Sequence, residues 1–95
     1  LQWLPGAMKY AENDVFPGGM ERNREHFEQV TTFADDVGEP VRKLLFDPET
    51  SGGLLIAVAA DSADALAAEI DGAVVIGEVR SGTGQMIFTQ VSSAR

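Results

Sequence analysis

Cysteine is absent from this 95-residue chain, which excludes a disulfide framework, a thiolate metal site and a thiol nucleophile within it. Histidine is nearly absent too. The single His26 lies in the charged stretch 21–28, where a solvated helix position is the expectation, and metal binding by a histidine cluster is excluded. Basic residues are scarce: seven against fifteen acids leave a net charge of −8. That balance repels phosphate backbones at long range and argues against nucleic acid or an anionic membrane as partner, so any phosphate-binding role must be local. No apolar run approaches the roughly 20 residues needed to cross a bilayer, and nothing resembles a secretory leader. The expectation is a soluble, cytoplasmic protein. The first residue is Leu1 and not Met, which suggests a piece of something longer, forming one domain or part of one with a modest core.

Against these absences stand two glycine segments. Asp47-Pro48-Glu49-Thr50-Ser51-Gly52-Gly53 runs straight into the apolar Leu54-Leu55-Ile56-Ala57-Val58, as a shaped turn feeding a buried strand does. Pro48 fixes its own φ near about −65° and biases Asp47 toward an extended or turn conformation, while Gly52 and Gly53 permit positive φ. Thr50 and Ser51 add two hydroxyls. Successive backbone N–H groups in such a turn can converge into a nest for an anion; the plainer alternative is a hydroxyl-capped turn at the start of a strand. The other segment, Pro17-Gly18-Gly19, precedes a helical stretch whose first amides suit a phosphate oxygen. Arg22 and Arg24 either add cationic contacts there or are surface charges among Glu21, Glu25 and Glu28. Asn23 falls between Met20 and Phe27 on the apolar side of that helix, where its amide must find partners. It either bonds the Gly18-Gly19 backbone or contacts a ligand. Asp35 and Asp36, adjacent in an acidic turn, are expected to be solvated.

Periodicity supplies the elements. Leu4, Ala7, Met8 and Ala11 predict a short amphipathic helix over 5–13 with Pro5 in its first turn, and a second helix follows over about 20–29. Residues 31–33 form a short strand, 34–39 an acidic turn, and 40–46 one or two helical turns. The apolar run 54–59 predicts a covered strand. Asp61 is expected to cap a helix bearing Ala63, Leu66, Ala67 and Ile70, stopped by Gly72. Strands at 73–79 and 85–91, joined by Arg80-Ser81-Gly82-Thr83-Gly84, predict a hairpin, and 92–95 a frayed tail. The fold class is α+β, in two layers.

The stretch DPETSGGLLIAV closely resembles the DPQTSGGLL hallmark in the C-terminal domain of selenophosphate synthetases. Residues 17–23, PGGMERN, resemble that family's PGGTxRN, and Ile76-Gly77-Glu78-Val79 its usual final IGEV. Met20 stands where the family commonly has Thr, and Glu49 where it has Gln. The resemblance implies an ATP enzyme forming selenophosphate, AMP and phosphate from selenide and water. It also implies a fold shared with aminoimidazole ribonucleotide synthetase, with helices on one side of a small mixed sheet, a homodimer, and ATP and magnesium held mainly by an N-terminal domain outside this chain. The family's reactive Cys or selenocysteine, its Lys and its magnesium-binding aspartates lie upstream, so the 95 residues alone are expected to be inactive. What remains is a wall of the substrate or phosphate site from Gly18, Gly19, Arg22, Asn23, Thr50, Ser51, Gly52 and Gly53, shaped by Asp47 and Pro48. Two other readings stand beside it: a non-catalytic small-molecule-binding module, and a dimerisation piece.

Overall fold

Residues 1–89 are described in the computed structural model of the chain. They fall into two units, each taken by itself: residues 2–50 with the segment from Thr83, and residues 51–82 with Leu1.

In the larger unit, helix α1 (Ala7–Glu12) starts from Gly6, whose φ of 86° is left-handed and suits only glycine readily. It therefore begins two residues after Pro5. It closes with the Val15 amide donating to the Tyr10 carbonyl and the Asp14 amide to that of Ala11, at 2.9 and 3.0 Å. Asp14 takes the left-handed position, φ 57°, usually held by glycine or asparagine in this closure. Of the expected stripe only Ala11 is buried, and Leu4 is 82 % exposed. Helix α1 packs on helix α3 (Glu39–Leu45). Lys43 of α3 holds Asp14 at 2.6 Å, and the apolar residue that ends α3, Phe46, is buried.

Helix α2 (Gly18–Phe27) starts after Pro17, without a side-chain cap, and buries Met20. A 3-10 turn (Glu28–Val30) carries the chain into strand β1 (Thr31–Phe33). Its partner is strand β2 (Met86–Phe88), in parallel, with Phe33 opposite Phe88. Those two rings stack at 5.5 Å, and Phe46 meets Phe33 edge-on at 5.9 Å. Arg42 lies 5.0 Å from the Phe33 ring and donates to the carbonyls of Val37 and Ala34 at 2.7 and 3.3 Å. It thereby holds the expected acidic turn, in which Val37 is buried. Ala11, Met20, Val37 and Phe46 are the core, and full burial of a Met or Phe side chain contributes about 1.5–3 kcal/mol.

The smaller unit holds a 3-10 turn (Ala60–Ser62) and helix α4 (Ala63–Glu69). Asp61 lies inside the 3-10 turn and Ser62 stands at the α4 N-cap with no side-chain cap bond, which corrects the expected cap. Gly72, φ 80°, turns the chain as anticipated. No residue of this unit is fully buried among the described residues, and Leu54, Leu55 and Val79 are 90, 80 and 88 % exposed.

Three expectations are therefore corrected. Residues 54–59 and 73–79 are not strands. The last strand pairs with β1 and forms no hairpin with 73–79. The described sheet is two-stranded and parallel, not mixed. A strand takes its ladder bonds from another segment, so an apolar run sets propensity but not pairing. The expected tail 92–95, and the end of the expected strand 85–91, lie outside the described residues.

Candidate functional site

Gly18 and Gly19 form the first turn of α2, where unpaired amides and the helix dipole give positive partial charge. Arg22, one turn on, folds back over them. Its two terminal guanidinium nitrogens lie 3.8 and 3.7 Å from where a Cβ would stand on Gly18 and Gly19. Among the described residues no carboxylate pairs with Arg22. Arg24 differs. It is ion-paired to Glu39 of α3 and lies 3.6 Å from Glu28. The hydrogen bond to Glu39 raises the Arg24 pKa, and the same bond lowers that of Glu39. Arg24 is thus occupied in joining α2 to α3.

Pro48 of the second glycine segment reaches the first. A Cβ on Gly19 would stand 2.7 Å from Pro48 Cγ, closer than real Cβ atoms come, so only glycine lets the proline ring sit there. One turn along α2, the Asn23 side-chain amide donates to the Phe46 carbonyl at 2.9 Å. Its partner is therefore not the Gly18-Gly19 backbone, as one of the two expectations had it, but the residue just before Asp47-Pro48. Spacing along the chain could not have named Phe46, 23 positions away.

Two open clefts flank this junction. One, of about 370 Å³, is lined by Tyr10, Val15, Phe16, Pro17 and Leu44; the other, of about 270 Å³, by Asn23, Phe27, Val30, Phe46 and Phe88. Asp47 borders both. Sequence reasoning gave it only a turn role, and no local signal marks it otherwise.

Thr50 belongs to the larger unit, and Ser51, Gly52 and Gly53 to the smaller. Thr50 and Ser51 are exposed, and their hydroxyls have no hydrogen-bond partner among the described residues. The positive-φ glycines are Gly6, Gly72 and Gly84, so positive φ is not what Gly52 and Gly53 contribute. A Cβ on Gly53 would meet nothing within 4 Å. Among the described residues no group of three His, Asp or Glu side chains could hold a metal ion. Asp35 and Asp36 are exposed, as expected. No described helix is long and apolar enough to cross a membrane.

No family model matches the chain, and no solved structure matches it. Curated proteins do. A selenide, water dikinase of Pelobacter propionicus is 44 % identical over 80 residues, 79 % of this chain and 23 % of that protein. That of Aliarcobacter butzleri is 40 % identical over 93 residues, 93 % of the chain and 27 % of its own length. That of Paraburkholderia xenovorans is 37 % identical over 91 residues, 90 % of the chain and 26 % of its own length. The chain spans about a quarter of the length of these relatives. It is an α+β segment of a kind found within larger proteins. Over most of its length the chain is similar to selenide, water dikinases, consistent with a fragment of a selenophosphate synthetase.

Proposed function

We propose that the chain is the C-terminal part of an ATP-dependent selenophosphate synthetase, which forms selenophosphate, AMP and phosphate from ATP, selenide and water, and that it supplies phosphate-facing wall to that site. The observation that carries this is Arg22 folded over Gly18 and Gly19 at the start of α2. In a chain of net charge −8 a guanidinium without a carboxylate partner among the described residues, set beside helix N-terminal amides, is a local attraction for an anion. Thr50, Ser51, Gly52 and Gly53 enter the proposal on their own chemistry, as exposed hydroxyls and exposed glycines. ATP and magnesium are held mainly by an N-terminal domain outside the chain. The whole enzyme works in the cytoplasm as a homodimer, without nucleic acid or membrane.

Selenide-dependent AMP formation by the full enzyme tests this. Arg22→Ala raises the ATP or selenide requirement at least about tenfold in folded protein, roughly 1.4 kcal/mol of lost binding. Ser51→Ala and Thr50→Ala change it in the same direction with little loss of stability. The 95-residue chain alone makes no AMP above blank. Full activity in all three variants, or AMP made by the chain alone, overturns the assignment.

A further inference from the structure

Asn23 joins two parts of the chain that are far apart in sequence. Its amide N–H is spent on the Phe46 carbonyl at 2.9 Å, at the point where α3 has ended and the Asp47-Pro48 turn begins. Phe46 is buried, so its backbone has a fixed seat. The amides of Phe46 and Asp47 donate to the carbonyls of Lys43 and Leu44, each at 3.1 Å, closing the last turn of α3. Two residues on, the Pro48 ring lies against Gly19 at a separation that excludes a Cβ. The two contacts fall one turn apart on α2 and hold the same short piece of backbone at both ends. A carbonyl at the end of a helix has no partner within it; here Asn23 supplies that partner from another helix.

From this geometry we infer that Asn23 is a positioning residue. With Gly19 it clamps the segment 46–48 onto the first turns of α2 and so sets the course on which the chain reaches Thr50. Asn23 acts through Phe46 and Pro48; Arg22, on the neighbouring position of α2, is the side chain that faces the anion. The kinetic part of this inference rests on the phosphate-wall reading above; the structural part does not.

The test uses the full enzyme with Asn23→Asp, which keeps the side-chain shape and removes the donor, and separately Gly19→Ala, which pushes Pro48 away without touching Asn23. Amide hydrogen exchange at Phe46 and Asp47 is followed beside that of Tyr10 in α1, whose amide bonds the Gly6 carbonyl at 3.1 Å. The expected result in Asn23→Asp is at least about tenfold faster exchange at Phe46 and Asp47 with Tyr10 unchanged, and Asn23→Gln, which retains a donor, recovers part of the protection. Gly19→Ala gives the same pattern, and both variants raise the apparent ATP requirement more than they lower turnover. Unchanged exchange at Phe46 and Asp47, or a rise shared equally by Tyr10, overturns the clamp. Local loosening with an unaltered ATP requirement upholds the clamp and sinks the phosphate-wall reading instead.

Discussion

Gly19 and Gly53 look alike in sequence, each the second glycine of a pair downstream of a proline, yet the structure gives them different work. A Cβ on Gly19 would meet Pro48 at 2.7 Å, and one on Gly53 would meet nothing within 4 Å. Overpacking of that kind costs roughly 1–3 kcal/mol, whereas an unhindered surface change stays within about 0.5 kcal/mol. Gly19→Ala should therefore lower the urea midpoint clearly, and Gly53→Ala should barely move it. Equal shifts in the two variants would show that the close approach at Gly19 is not what its segment requires. The distinction was not legible in the sequence, because it depends on a proline 29 positions away. Asn23 makes the same point. That a polar amide on an apolar helix face needed a partner was readable from periodicity, but the identity of the partner was not. The resemblance favoured Arg22 over Arg24, and the pairing of Arg24 with Glu39 separates them in the structure.

At the scale of elements, what is local was readable and what is paired was not. The spacing of apolar residues placed α1, α2, α3 and α4 to within a few residues, because a helix makes its bonds within itself. Strand β1 was also anticipated at 31–33, but its partner was not: a parallel pair needs a long connection, and nothing short-range announces one. The glycines at 82 and 84 suggested a hairpin, while the aromatic stack of Phe33 on Phe88 belongs to the parallel register. The Arg24–Glu39 pair links α2 to α3 and gives this scale its own test. The hydrogen bond from Arg24 lowers the Glu39 pKa below its ordinary value. Its contribution is therefore fully present above that ordinary value and is lost as pH falls through the lowered one. Glu39 is about half exposed, so solvent screening limits the contribution to roughly 0.2–1 kcal/mol. Acidification from pH 6 to pH 3 should accordingly destabilise the parent more than Glu39→Gln, by no more than that amount. Parallel stability curves for the two proteins would show that the pair contributes nothing.

At the scale of the whole molecule the question is what covers the apolar residues. The four apolar residues buried among the described residues all belong to the larger unit. In the smaller unit Leu54, Leu55, Ile56, Val58, Ile70, Val74, Ile76 and Val79 keep from 43 to 90 % of their surface exposed. The sequence reading of 54–59 as a covered strand rested on its run of apolar residues, which in the structure form no strand and stay exposed. Single exposed apolar residues are ordinary in soluble proteins, whereas contiguous patches beyond a few hundred Å² mark surfaces that associate. The 95-residue chain studied alone should therefore self-associate at high concentration and bind a hydrophobic dye. Net charge of −8 opposes association through long-range repulsion, which is screened at distances beyond about 8 Å at physiological salt. Association should consequently strengthen as salt is raised, the reverse of what an assembly held by ion pairs would do. Leu54→Lys with Leu55→Glu should weaken both the association and the dye signal without loss of the α1–α3 packing in the other unit. A clean monomer across the concentration range, with no dye binding at any salt, would mean that the exposed residues form no adhesive surface, and the dimerisation alternative for this segment would lose its physical basis.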